Sequence, residues 1–396
     1  MGSSTYTTVG VVEESSLGTT PSSALRLVNC SEGSLAMDRD SSRPEIWTGS
    51  QRRYPERPMR EGATMTISAP QQYENMLEFY EGLFGAARAN AVTVTGTGIA
   101  VGSSTTITDS GNGLGNFAVG DWVYVSGFST AANNGWHGPV TTAAAGTLTF
   151  SAGGLTTESA GASISLKTRR LVEPATATLK TYSVEVNDTD LNRFQSSKAM
   201  TVTNGQWNWQ VGQFATEQFQ LQGRLPAVAG STIGTGTATA AKTSAFINTP
   251  TDWADLWYAS TTASTAIFTQ LQLQANPNVE SIMGLGDLGP SSYSRGPLDW
   301  TLTGSLYYDT TADDFVDHAL AHSTKWVAWS QADPAGNKML FFLPSVKISL
   351  GNFERGAPNS QKTIPFTATA HSSAFDSSAT FSGIANQAAV FFVPAS

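Results

Sequence analysis

The chain has 396 residues, which is enough for two or three domains with separate cores. Only 13% of the residues are charged, while 37 glycines and 17 prolines supply many turns. This composition excludes a coiled coil or a charged helical bundle and favours an all-β class. The net charge of −9 argues against a protein that wraps a polyanion such as DNA.

The single cysteine, Cys30, has no partner for an internal disulfide. No apolar run reaches the roughly 18 residues that a membrane-spanning helix needs. The first residues show neither the basic nor the apolar segment of a secretory signal. We therefore expect a protein that is made and assembled in a cytoplasm and has no membrane partner.

The predicted elements begin with a polar N-terminal arm, residues 1–23, and a short strand at 25–28. Residues 41–61 then hold three prolines and five arginines. Because proline is not accommodated inside a central strand, we predict a long loop there. Alternating residues predict a strand at 64–67, and apolar residues at helical spacing predict one amphipathic helix within 73–84.

The composition then shifts to Thr, Gly, Ser and Val, and five short alternating runs predict a small β-barrel or Ig-like sandwich. Because the earlier style of sequence resumes at Leu171, we interpret residues 91–168 as a domain inserted into a first unit. That first unit comprises residues 24–90 and 169–228. The strands predicted in the insertion lie near residues 92–94, 105–107, 121–125, 146–150 and 163–166.

Four strands follow the insertion, and the middle two are joined by Asn204-Gly205, the strongest short-range hairpin signal. A linker rich in Gly, Thr and Ala spans residues 229–244. Beyond it the order of strand, loop, strand, helix and four strands recurs over residues 245–371, and a C-terminal arm, residues 372–396, follows. The chain is therefore interpreted as a duplicated unit with an insertion in the first copy only. The four strands of each copy are predicted at 181–186, 199–203, 206–211 and 218–222, and at 326–329, 339–343, 345–350 and 363–368.

Several segments are similar in order and style to one known family. The segment Glu-Gly-Ala-Thr-Met-Thr-Ile at 61–67 leads into the first predicted helix, the strand at 182–186 precedes the predicted hairpin, and the second copy repeats the strand and helix. With the inserted segments 120–123 and 133–136, this order over residues 24–371 resembles the major tail tube proteins of long-tailed, non-contractile bacteriophages, in a duplicated form.

The resemblance implies a mainly β fold: two tandem β-sandwich or β-barrel tube domains, each with a flanking α-helix, plus the small all-β insertion. It also implies rings that form by sheet extension and stack into a tail tube in the virion, through which DNA passes during ejection. Simple members of the family close six domains into a ring, so two domains per chain imply a homotrimer with pseudo-sixfold symmetry. The implied partners are the protein itself, a tape measure protein and tail terminator or tip proteins, while viral DNA crosses the lumen without specific binding.

The arginine-rich loop is the one segment whose composition is typical of nucleic-acid contact. A conduit that bound phosphate would stall moving DNA, so we favour arginines paired with carboxylates of a neighbouring subunit or ring. Packing of the loop on its own domain and contact with DNA stay open as alternatives. The candidate contact residues are Arg43, Trp47, Arg52, Arg53, Tyr54, Arg57, Arg60 and Arg295.

The other motifs predict no catalytic, cofactor-binding or metal-binding residue. The G-x-G-x-x-G match at 284–289 is followed by Pro290 rather than by the helix that a dinucleotide site requires. His318 and His322 share a predicted helix face but belong to no complete metal motif, so a solvated face is the simpler interpretation. With no nucleophile elbow and no acid/base pair, we expect a protein that is not an enzyme.

One alternative function remains at this point, a carbohydrate-binding adhesion protein of the cell surface. Trp122, Phe128 and Trp136 lie in the insertion and would supply its glycan-stacking platform, although such residues are more often core and turn packing in a small barrel. A β-sandwich hydrolase is a third and weaker alternative. Rings or tubes of the purified protein would distinguish the tail tube from both.

Overall fold

The computed structural model describes residues 7–46, 53–151, 153–259, 264–309, 312–352, 361–376, 381 and 384–395. Within them the chain forms open β-sheets with three short α-helices, so the prediction of a mainly β fold built from sandwiches is confirmed. The elements before the insertion are β1 (Thr7–Glu13), β2 (Arg26–Val28), β3 (Glu32–Ser42), β4 (Arg57–Pro70) and α1 (Leu77–Phe84).

The insertion has two small four-stranded sheets around a core of its own. Every strand predicted in it is present, and further short strands lie between them. Its strands are β5 (Val92–Gly96), β6 (Ile99–Ser103), β7 (Thr106–Asp109), β8 (Val123–Ser126), β9 (Gly135–His137), β10 (Val140–Ala144), β11 (Thr147–Phe150) and β12 (Ile164–Thr168).

The remaining elements complete the two larger units. Those of the first unit are β13 (Arg170–Val172), β14 (Tyr182–Asp188), β15 (Arg193–Gln210), β16 (Thr216–Gly223) and β17 (Ala227–Ala229). Those that follow are α2 (Thr249–Asp252), β18 (Trp253–Tyr258), β19 (Phe268–Asn276), β20 (Val279–Ile282), β21 (Ser292–Arg295), β22 (Asp299–Tyr307), α3 (Asp313–Leu320), β23 (Lys325–Ala332), β24 (Lys338–Leu350), β25 (Thr363–Ala370) and β26 (Ala389–Val393).

The two units repeat one order of strand pairing. It runs β1-β14-β15-β16-β4-β3 in the first unit and β18-β23-β24-β25-β22-β19 in the second. In both units the helix follows the fifth strand of this pairing order, β4 or β22, in the sequence and comes before the second, β14 or β23. The same order of hydrogen-bonded strands therefore occurs twice among the described residues.

One long strand in each unit passes from one layer of the sandwich to the other. The first part of β15 pairs with β14 and its second part with β16, with a register shift between Val202 and Asn204. In the same way β24 pairs first with β23 and then with β25, and Pro344 lies between the two segments. A bulge in the middle of a strand lets the chain turn the corner between two packed sheets without breaking the ladder.

The predicted Asn204-Gly205 hairpin is wrong, because both residues lie inside the single strand β15. A Cβ on Gly205 would lie 2.6 Å from Cδ2 of Leu83, so the glycine is needed where helix α1 presses on the strand. The same error split β24 into two strands at Pro344. In both places a residue type that is common in turns lies inside a continuous strand, at a bulge or at a close packing contact.

The predicted loop at 41–61 is also partly wrong. Strands β3 and β4 extend into it from the two sides, as far as Ser42 and Arg57, and pair as the arms of a hairpin. Pro58 lies in β4, opposite Ser41, beyond the point where β16 stops pairing with this strand. Its missing N–H therefore faces no ladder partner, which is the position in which a strand tolerates proline.

Both terminal segments that the sequence suggested as arms contribute a strand. Val9 and Val11 in β1 are buried against β14 and β2. At the other end, β26 is buried along its whole length between β13 and β24. These segments are too polar or too short to fold alone, and pairing with strands distant in sequence orders them.

Candidate functional site

One extended surface of the described chain is a face of an eight-stranded antiparallel sheet, ordered β3-β4-β16-β15-β19-β22-β25-β24. We call it the polar face. The hydroxyl, amide and alanine side chains of its central part are all exposed or half-buried. They are Ser34 and Ala36; Thr64, Thr66 and Ser68; Thr216, Gln218, Gln220 and Gln222; Gln206, Asn208 and Gln210; Gln270, Gln272, Gln274 and Asn276; Thr301, Thr303 and Ser305; and Thr367 and Thr369.

Charged residues occur on this face only near its margins in the described part of the chain. Glu32 begins β3, Asp299 begins β22 and Lys347 lies in β24 near the opposite edge. The amides and hydroxyls between them bond to one another across strands, as where Gln218 Nε2 donates to Ser68 Oγ at 2.9 Å. A surface of this kind hydrates well and offers no fixed cation to a phosphate.

The opposite face of the same sheet is apolar and covered by the helices. Phe79 of α1 packs on Phe219 with ring centroids 5.7 Å apart, and Phe315 of α3 packs on Phe366 at 4.9 Å. Strict alternation along each strand, with Gln or Thr outward and an aromatic or aliphatic residue inward, produces this division.

Beneath α1 the core contains a buried carboxyl. Tyr80 Oη donates a hydrogen bond to Glu217 Oε2 at 2.8 Å, and Trp207 Nε1 donates to Tyr80 Oη at 2.6 Å. Burial raises the pKa of Glu217 to about 8, although the Tyr80 hydrogen bond acts in the opposite direction. This carboxyl is therefore protonated at neutral pH and serves the packing of α1 rather than any chemistry at the surface.

The two units meet edge to edge where β15 pairs with β19, from Gly205 opposite Ala275 to Gln210 opposite Gln270. We call this contact the internal joint. Behind it, Phe84 at the end of α1 packs on Trp300 with centroids 5.2 Å apart. The joint thus fuses two four-stranded sheets into one continuous polar face.

A shared hydrogen bond also ties the two units together in the core. Trp209 Nε1 lies 3.1 Å from Oε1 of Gln71 in the first unit and 3.0 Å from Oε1 of Gln331 in the second. Both acceptors are fully buried, so the indole N–H joins side chains from two units across the interior.

The candidate contact residues of the arginine-rich segment are spread along the β3–β4 hairpin. Arg43 and Arg60 form ion pairs inside the hairpin, with Glu56 at 3.7 Å and Asp38 at 3.0 Å. Arg53, Tyr54 and Arg57 are exposed, and neither arginine makes an ion pair with another described residue. Trp47 and Arg52 lie outside the described residues.

Arg295, the eighth candidate, is engaged within the chain at the internal joint. Its guanidinium donates to the carbonyl oxygens of Gly82, at 3.0 Å, and Leu83, in the last turn of α1. A cation at a helix C-terminus satisfies free carbonyls and opposes the negative end of the helix dipole. Arg295 thus helps to hold the second unit on the first.

The aromatic residues considered for glycan stacking are placed differently from one another. Trp122 is buried where the insertion meets the second unit, with ring centroids 5.2 Å from Trp257 and 5.7 Å from Phe342. Phe128 is buried in the insertion's own core, and Trp136 is half-buried beside Tyr124. Trp122 and Phe128 therefore serve packing and present no ring to a ligand.

The remaining motifs form no reactive centre in the part of the chain that the structure describes. The 284–289 segment is an exposed connection between β20 and β21. Among the described residues no three His, Cys, Asp or Glu side chains lie close enough to hold a metal ion. None of the described helices has the length and apolar content to cross a membrane.

The polar face was not identified from the sequence, which left open which strand face lines a lumen. The signal was present in the alternation of Gln and Thr with apolar residues along 216–223 and 268–276. What the sequence did not show is that these strands are neighbours, because the pairing of β15 with β19 joins residues about 65 positions apart.

The comparisons with known proteins point to one family. The family model described as "phage tail tube protein" matches residues 6–383, nearly the entire chain. A search of curated proteins finds no match.

Proposed function

The chain belongs to the phage tail tube protein family and is a structural component of the virion tail; from this premise we propose that it self-assembles into stacked rings that form the tube of a long, non-contractile tail. In this proposal the tube is the conduit through which the genome is ejected, and the chain has no enzymatic role. The polar face is the wall of the lumen.

The observation that supports this assignment best is the chemistry of the polar face. A conduit must keep the DNA hydrated and release every phosphate that it meets. A wall of Thr, Ser, Gln and Asn side chains does this, because it hydrogen-bonds to water but supplies no cation to condense on the backbone. The few charged residues of the face lie near its margins.

The number of strands supports three chains in each ring. Each chain contributes eight strands, and at about 4.8 Å between neighbouring strands three chains give a perimeter of about 115 Å and a backbone diameter of about 37 Å, more when the strands tilt. Two chains would give about 24 Å, a narrower channel that inward side chains reduce further. Three chains also supply the six tube domains that a ring with pseudo-sixfold symmetry requires.

The proposed partners follow from a tube of this kind. Copies of the chain form and stack the rings, a tape measure protein occupies the lumen during assembly, and terminator and tip proteins close the two ends. Viral DNA passes along the polar face without specific binding.

Electron microscopy of the purified protein, with native mass spectrometry of released rings, tests the proposal. We expect hollow tubes or rings that contain three chains and show three protrusions from the insertions in end-on averages. A protein that stays monomeric under all assembly conditions would contradict the tube, and rings of six chains would contradict the trimer.

A further inference from the structure

The internal joint carries information about a contact outside a single chain, because the two units repeat one order of strand pairing and several of their core positions correspond. Phe79 on Phe219 in the first unit corresponds to Phe315 on Phe366 in the second. In the ladders, Gly205 lies opposite Phe219 as Leu350 lies opposite Phe366. Gly205 and Leu350 are therefore equivalent positions.

The edge strands correspond in the same way. Thr-Met-Thr-Ile at 64–67 in β4 aligns with Thr-Leu-Thr-Gly at 301–304 in β22, so Ala63 is equivalent to Trp300. Met37 lies opposite Ala63, and Ala275 lies opposite Trp300. Met37 of β3 is therefore the equivalent of Ala275 of β19.

The internal joint uses only one of the two equivalent pairs of edges. In the first unit the second part of β15 pairs with β16 on one side and β19 on the other. In the second unit the end of β24 pairs only with β25, and β3 pairs only with β4, within the described residues. The outer edge of β3 and the outer edge of the end of β24 therefore have no partner strand among the described residues. They lie at opposite ends of the eight-stranded sheet.

Apolar side chains at these free edges are exposed where their equivalents are buried. Ala275 is fully buried at the internal joint, while Met37 is 64% exposed. Phe84 is fully buried against Trp300, while its equivalent at the end of α3, Leu320, is 74% exposed. A second copy of the internal joint would cover both.

We propose that β3 of one chain pairs antiparallel with the end of β24 of a second copy of this chain, with Met37 opposite Leu350, and that Leu320 packs on β4 of the same neighbour. This contact repeats the internal joint between chains. The proposal rests on the proposed ring and specifies its strands and register. Joined end to end in this way, the sheets continue the polar face around the ring without an open edge.

A disulfide across the proposed ladder tests the register. Directly opposed residues of an antiparallel pair lie at the Cα separation that a disulfide spans. In a Cys30→Ala background, tubes of the Met37→Cys, Leu350→Cys double variant should form covalent species up to trimers on oxidation. The matched control is Met37→Cys with Ser349→Cys, because a shift by one residue places the second thiol on the other face of the sheet.

A second measurement covers the case in which the cysteine variants do not assemble. Met37→Glu and Leu320→Glu should each reduce ring formation about 100-fold or more, because a charge would be buried without a partner. Their circular dichroism and melting temperature should stay those of the parent chain, because both residues are exposed in it. Leu191→Glu, at another exposed site, is the control and should assemble normally.

The outcomes separate this inference from the proposed function. If the parent chain forms rings but the 37–350 pair does not cross-link in assembled rings, the inferred joint is wrong while the tube stands. Normal rings from both glutamate variants would also overturn the joint. If the parent chain forms no rings, the proposed function itself fails.

Discussion

At the scale of single residues, Glu217 shows how burial changes the chemistry of a group. The side chain lies under α1 with Tyr80 as its hydrogen-bond donor, and burial raises its pKa to about 8. The folded chain therefore binds more protons than the unfolded chain between about pH 4.5 and pH 8. The free energy of unfolding falls as the pH rises through this window.

We predict that Glu217→Gln removes this pH dependence. The amide keeps an acceptor for Tyr80 and cannot ionise, so the variant should gain stability relative to the parent between pH 5 and pH 9, by about 1.4 kcal/mol for each unit of the pKa shift. Thermal unfolding at several pH values measures the difference. The exposed Glu32→Gln is the control, and parallel curves for parent and Glu217→Gln would contradict the raised pKa.

At the scale of elements, the insertion is fastened to the second unit rather than free of it. Trp122 packs on Trp257 and Phe342 of that unit, and Asp121 lies 2.9 Å from Arg170 of the first unit. These contacts do not fit an insertion that clears the packing surfaces of the other units. The buried tryptophan cluster indicates instead that its removal would uncover part of the second unit.

We predict that Trp122→Ala lowers the free energy of unfolding by about 3–5 kcal/mol, the usual cost of removing a buried aromatic side chain. Trp136→Ala, at the half-buried site on the same domain, is the matched control and should cost much less. Chemical denaturation followed by tryptophan fluorescence measures both. Equal effects of the two substitutions would argue against docking through Trp122.

The β3–β4 hairpin is the element for which we propose a docking role between chains. Arg53, Tyr54 and Arg57 are exposed on it, and the two arginines make no ion pair among the described residues. We predict that Arg53→Glu with Arg57→Glu blocks tube growth while leaving thermal unfolding nearly unchanged. The control is Arg193→Glu, also exposed, and microscopy with calorimetry provides both measurements. Tubes of normal length from the double variant would refute a docking role.

At the scale of the whole molecule, we expect the polar face, as the proposed lumen wall, to determine how assembled tubes interact with DNA. We predict that tubes of the parent chain retain no duplex DNA in a filter assay at low salt, because the wall offers no cluster of cations. Gln220→Lys with Gln272→Lys should convert it into a binding surface whose affinity falls steeply with salt. Lysines at Leu191 and Val228, which are exposed outside the polar face, are the control. Tight binding by the parent tubes would contradict the proposed lumen.

The sequence by itself determined the features that depend on neighbouring residues. Period-two alternation predicted the β class and many of the strands, and helical spacing predicted α1, because these patterns report which face of a local element is buried. The recurrence of element order and the change of composition after Ala91 predicted a duplicated unit with an insertion, and the described strands repeat one order of pairing.

Only the tertiary structure decided the features that depend on distant residues. In the sequence, Gly205 is typical of a turn and Glu217 of an exposed acid. In the folded chain Leu83 packs against Gly205, and Tyr80 and α1 cover Glu217. The internal joint pairs strands from two units, and no local pattern encodes which edge meets which. Burial and edge pairing are properties of the folded chain, so the polar face and its free edges became visible only there.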